Sequence, residues 1–124
     1  MSNIATTIVQ SKHLLELGLD IKSADMCLCK SAQDTWFLYA YTPGEYDAHT
    51  VPAWSFDKLF DIMAKAVKNY TLLLDYDDMV NEWRVWYARF LNGHITKFFH
   101  ICTNESKITA AYEMVCYLLE QGLI

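Results

Sequence analysis

Four cysteines and four histidines hold the soft ligands and the strongest candidate nucleophiles of this chain. Cys27-Leu28-Cys29 sets two thiols two positions apart, and His100-Ile101-Cys102 repeats that spacing with a mixed pair. On a strand, residues i and i+2 share a face, so these four side chains could form a zinc set of sulfur and nitrogen donors. The spacing argues against it, because structural zinc pairs usually sit two to four residues apart on a tight turn. Free, buried thiols acting as small apolar groups are the expectation. A thiol nucleophile would need His49, His94 or His100 beside it. No local signature surrounds any of the three, and Cys116 falls within the apolar stretch of a helix.

Oxygen chemistry is no better specified. Asp75, Asp77 and Asp78 gather the carboxylates that hard cations take, but without the calcium-loop pattern and its glycine. Glu45, Asp47 and His49 form the one mixed acid-base group, in an irregular stretch running from Pro43-Gly44 through Pro52. That group carries the alternative reading, a metal-dependent or hydrolytic accessory enzyme using the 43–52 loop. No Walker loop, dinucleotide fingerprint or nucleophile elbow is present. No catalytic residue, cofactor or metal is therefore assigned, and the chain reads as leaning away from an enzyme.

Aromatic residues make up 15% of the chain, and their placement suggests contact rather than catalysis. In the strand-like run 35–42, Trp36, Leu38 and Ala40 oppose Phe37, Tyr39 and Tyr41. In a second run Trp83, Val85 and Tyr87 oppose Arg84, Trp86 and Ala88. Rings on both faces imply that both sides are covered or that one side meets a partner. Trp36, Tyr39, Tyr41, Trp83, Trp86 and Tyr87 are the candidate interaction patch, for a protein partner or a homo-oligomer. Trp83, Arg84, Trp86, Tyr87 and Arg89 would also suit stacking on single-stranded nucleic acid. The net charge of −5 opposes that reading, since binding to phosphate backbones is driven by basic surface. Lys and Arg number 3 against 6 Asp and Glu before Trp54, and 7 against 9 from Trp54 onward.

The elements that would position these groups are signalled by their ends. Thr7-Ile8-Val9-Gln10 fits a capping box and opens a helix that Gly18 closes. Met26 to Cys29 and Thr35 to Thr42 form a hairpin across Ser31 to Asp34. Ser55 caps a helix whose buried face is Phe56, Leu59, Phe60, Met63 and Val67, with Trp54 stapled against Leu59 or its neighbour. Tyr70 to Tyr76, Glu82 to Phe90 and Ile95 to Cys102 form a meander, turned at Asp77-Asp78 and Asn92-Gly93. In the stretch 106–124, Ile108, Ala111, Tyr112, Val115 and Leu119 recur at helical spacing, Asn104 or Ser106 caps the start, and Gly122 ends it. The expected fold is α+β, with an antiparallel sheet of about five strands and about three helices mainly on one face, in one compact domain spanning 1–124.

Three segments, SKHLLELGLDIKSADMC, VPAWSFDKLFDIM and AAYEMVCYLLEQGLI, resemble short uncharacterised proteins encoded by Bacteroides-type gut bacteria and by their phages or integrated elements. The resemblance spans most of the chain. It implies a cytoplasmic protein of a bacterium or its phage, and it implies no reaction. The opening MSNIATTIVQ lacks the basic start and apolar run of a secretion signal, and no stretch is long and apolar enough for a membrane span. A cytoplasmic protein with reduced cysteines is the expectation.

Overall fold

The computed structural model describes residues 4–124. Its elements are α1 (Ile8–Glu16), β1 (Met26–Lys30), β2 (Trp36–Tyr39), β3 (Thr50–Ala53), α2 (Phe56–Ala64), β4 (Thr71–Asp77), β5 (Glu82–Leu91), β6 (His94–Asn104) and α3 (Lys107–Glu120), with a 3-10 turn at Ile21–Ser23.

The helix ends are built as the residue types dictate. The Thr7 hydroxyl accepts from Gln10 N while the Gln10 side chain accepts from Thr7 N, closing a capping box on α1. Ser55 and Ser106 cap α2 and α3 by accepting from Lys58 N and Thr109 N. Gly18 and Gly122 take φ of 101° and 70°, a left-handed backbone open to glycine at little cost. The following residues fold back, with Leu19 N donating to Leu14 O at 3.0 Å and Leu123 N to Leu118 O at 2.9 Å. Both are Schellman closures, which satisfy carbonyls that the helix leaves open. The β5–β6 loop is Asn92-Gly93 with both φ positive, the geometry that matches the twist of a tight hairpin.

The α+β class holds, but the single sheet does not. Among the described residues, six strands form two antiparallel three-stranded sheets, ordered β2-β1-β3 and β4-β5-β6. The added strand is β3, inside the stretch expected to be irregular. It pairs with β1 through Cys27↔Pro52 and Leu28↔Val51. A proline within a strand argues for irregular chain unless the strand lies at an edge, and β3 is an edge strand. β2 also stops at Tyr39, short of the expected Thr42.

The larger core lies between the β4–β6 sheet and helices α2 and α3. It buries Trp54, Leu59, Met63, Val85, Tyr87, Ile108, Met114, Val115 and Leu118. A smaller cluster of Ala5, Leu28 and Ala53, flanked by Ile8, Met26, Trp36 and Leu38, packs one face of the first sheet. Helix α1 touches both β3 and α3, and Gln10 Nε2 donates to Thr109 Oγ1 at 3.3 Å.

β6 carries two irregularities against β5. Trp86 pairs with Ile101 and Ala88 with Phe98, so Phe99 and His100 share the place opposite Tyr87; a second shift follows between Arg89↔Lys97 and Phe90↔Ile95. These are bulges, in which two residues of one strand face one of the other. The first explains why Phe99 and His100 both meet Tyr117, at ring separations of 5.9 and 3.6 Å.

Candidate functional site

Cross-strand partners point to the same side of a sheet, so the register assigns the two faces of β4–β6. The inner face carries Leu72, Leu74, Val85, Tyr87, Phe99 and Cys102, all packed into the larger core. The outer face carries Leu73 beside Trp86 beside Ile101, then Ala88 beside Phe98, then Phe90 beside Ile95. Of these, Leu73, Trp86, Phe98 and Ile101 belong to neither core cluster. Phe90, Ile95, Phe98 and Ile101 are exposed at 43, 49, 62 and 40%. Large apolar side chains in one contiguous row on a sheet face mark a docking surface more often than chance exposure does.

The bulges create that row. Strict alternation along β6 would put Ile95 and Ile101 on one face and Phe98 on the other. One extra residue on each side of Phe98 brings all three onto the outer face. Period-two counting therefore misses this surface, and only the aromatic and β-branched density of residues 95–101 hints at it.

The six expected patch residues do not form one surface. Trp36 lies on the packed face of the first sheet, against the smaller cluster, with Lys30 Nζ 5.8 Å from its ring. Tyr39 and Tyr41 are exposed and meet edge to face at 5.6 Å. Trp83 is half-buried at the end of β5, between Tyr76 at 5.1 Å and Lys107 Nζ at 5.3 Å. Trp86 lies on the outer face of the second sheet. Tyr87 must be removed from the patch: it is 1% exposed and donates its hydroxyl proton to Met63 O at 2.7 Å. Burial pushes that phenol well above its ordinary range.

Beside Trp86, Arg84 grips Asp75 in a two-pronged ion pair, Nε to Oδ1 at 2.8 Å and Nη2 to Oδ2 at 2.6 Å. The Arg84 hydrogen bonds hold the Asp75 carboxyl below its usual range, with burial opposing. The buried Trp86 N–H makes no full hydrogen bond, although its proximity adds a little to the same pull. A lowered carboxylate stabilises the fold above the unfolded value, about pH 4, and that contribution is lost as pH falls through the lowered value. The stability difference between the wild type and Arg84→Met is therefore expected to shrink as pH drops from about 7 to about 3. Because both side chains are more than a third exposed, added salt should shrink it too. Urea titrations at several pH values and salt concentrations check this, and a difference indifferent to both would remove the ion pair as its source.

The chemical groups singled out in the sequence are dispersed. Cys27 and Cys29 lie on the first sheet with Sγ atoms 3.7 Å apart, whereas His100 and Cys102 lie on the second. Among the described residues no three His, Cys, Asp or Glu side chains gather as a metal set. Desolvation pushes the Cys27 thiol up to about 11 and the Cys102 thiol up to about 12. Since the thiolate is the reactive form, Cys102 in the folded chain should react with iodoacetamide at least about tenfold more slowly than in urea. Peptide mass spectrometry after timed labelling tests this, and equal rates would refute the buried, protonated state. Asp77 accepts from Met79 N at 3.0 Å within its turn, so Asp75 serves an ion pair and Asp77 a turn.

In the 43–49 loop, Asp47 Oδ1 accepts from His49 N at 2.7 Å and from Thr50 Oγ1 at 3.1 Å. These bonds lower the Asp47 carboxyl and commit it to holding the turn. A cleft of about 580 Å³ opens between this loop and the 3-10 turn, lined by Ile21, Lys22, Thr42, Pro43, Glu45 and Tyr46 among others. Its size suits a small ligand, but Asp47 and His49 are not in its lining, so the expected acid-base group does not converge there.

No protein-family model, curated protein or solved structure matches the chain. No described helix is long and apolar enough to cross a membrane.

Proposed function

We propose that this protein is a non-enzymatic interaction module whose docking surface is the outer face of the β4–β6 sheet. One observation carries the reading: Phe90, Ile95, Phe98 and Ile101 are exposed in a single row on a sheet whose other face is packed into the core as far as Tyr87 and Phe99. A sheet with apolar side chains on both faces has its lowest free energy when both are removed from water. The resemblance of the three quoted segments supports a bacterial or phage origin and a place in the cytoplasm.

Phe98 is the residue to change, because it is the most exposed of the row and its replacement should leave the core untouched. Phe98→Asp is expected to unfold with a stability within about 1 kcal/mol of the wild type. In the same preparation it should lose partners cross-linked through a photoreactive side chain at Ile101. The same partners recovered at the same yield from the variant would reject the outer face as the docking surface.

A further inference from the structure

We infer that the occupant of this face is a second copy of the same chain, packed sheet on sheet about a two-fold axis. The inference rests on the reading of the outer face as a docking surface and specifies what docks there.

The first support is an arm that lacks a cover. β4 pairs with β5 only as far as Thr71↔Ala88, whereas β5 and β6 continue together to Leu91↔His94. From Arg89 to Lys97 the sheet is therefore a two-stranded ribbon extending past its third strand. Such a ribbon is marginal alone in water and needs a packed face. Its outer side carries Phe90 and Ile95, continuous with Phe98, while Arg89 and Lys97 pair on the other side. The outer side is apolar, whereas the other side mixes the Arg89 and Lys97 cations with exposed Leu91, paired with His94, so the outer side is the one suited to lie against another surface.

The second support is area. The exposed parts of Phe90, Ile95, Phe98 and Ile101, with the edges of Leu73 and Trp86, amount to roughly 400 Å² of apolar surface. A standard interface removes about 800 Å² per partner, and in homodimers about 65% of that is apolar, or about 500 Å². One such face supplies most of what a stable dimer needs from each copy, and an isologous contact uses the same face twice.

The third support is charge. The row from Leu73 to Ile95 contains no ionisable side chain, and the Asp75–Arg84 pair at its border is neutralised internally. Two identical rows can therefore meet without like charges opposed, with the Asp77 and Glu82 carboxylates at the far end of the same face outside the contact, even though the chain as a whole carries −5. Two twisted sheets stacked this way would lie about 10 Å apart with their strands within about 30° of each other.

Sedimentation velocity on the full chain, from low to high micromolar concentration, tests the inference. The wild type is expected to sediment as a dimer, and Phe98→Asp to weaken self-association more than about tenfold. Ile95→Asp, on the arm itself, should do the same. Tyr39→Asp, on the other sheet, should leave the dimer intact, and circular dichroism establishes that each variant is folded. A wild type that stays monomeric throughout overturns the inference, as does a dimer unaffected by both Phe98→Asp and Ile95→Asp. The two readings separate in the monomeric case. If cross-linking through Ile101 still captures a different protein, the docking surface stands and its occupant is not a second copy; if it captures nothing, both readings fail.

Discussion

Trp54→Ala is expected to cost about 3–5 kcal/mol of folding free energy, the range for removing a fully buried aromatic side chain. Trp54 has no exposed surface and lies in the larger core with Leu59, Met63 and Met114. Its indole N–H donates to Ser23 Oγ at 3.0 Å, so the same side chain ties the 3-10 turn to the junction of β3 and α2. Truncation leaves a cavity the size of an indole and removes the N–H that Ser23 Oγ accepts, leaving that hydroxyl only its bond to Asp20 O, and surrounding atoms relax into such a cavity only in part. The unfolding midpoint in urea should fall with little change in slope. A loss below about 1 kcal/mol would mean that the site collapses or that Trp54 is not packed as described.

Thr6→Val should be the next most damaging, at about 2–3 kcal/mol, although it preserves shape almost atom for atom. The Thr6 hydroxyl is buried, accepts from Trp54 N at 3.1 Å and pairs with Ser11 Oγ at 2.8 Å, while Thr6 N donates to Trp54 O at 2.9 Å. Valine would leave the Trp54 N–H without an acceptor in a dry site, and an orphaned buried donor loses its full hydration energy. Thr6→Ser keeps the oxygen and should cost about 1 kcal/mol, chiefly for the lost methyl. If valine and serine prove equally costly in urea titrations, packing rather than the hydrogen bond governs this position.

These two sites lie where local sequence is least informative. Helix ends are legible because each depends on one residue type acting on its own neighbours. Thr7, Ser55 and Ser106 accept from amides three positions on, and Gly18 and Gly122 take the left-handed backbone that closes a helix. Asn92-Gly93 marks its hairpin for the same reason. Pairings fixed by distant partners leave no such mark. β3 contains Pro52 and becomes a strand because β1 offers it a free edge. Whether six strands make one sheet or two depends on which edges meet, and no periodicity records that.

The candidate surface shows the same division. Alternation with Val85 and Tyr87 assigns Trp86 to the opposite face, and it lies on the outer side of the sheet. Tyr87 joins it in the expected patch because aromatic character alone cannot separate a core ring from a docking ring. Its burial follows from the helices packed above it, which local sequence does not position. Phe90 follows from the same alternation as Trp86, but Ile95, Phe98 and Ile101 escape a sequence reading because two bulges reset the period of β6, and each bulge needs its partner strand to exist.

Those bulges have a consequence for solubility. β6 has eleven residues and a free lateral edge, and its run of β-branched and aromatic side chains is the composition that seeds cross-β fibres. A fibril grows by in-register addition along an evenly spaced row of amides and carbonyls. The irregularities at Phe99-His100 and at Thr96 interrupt that row twice, so a foreign strand could match β6 over only short runs before losing register. The same distortions that gather the apolar row on one face therefore make the edge beside it a poor template for amyloid.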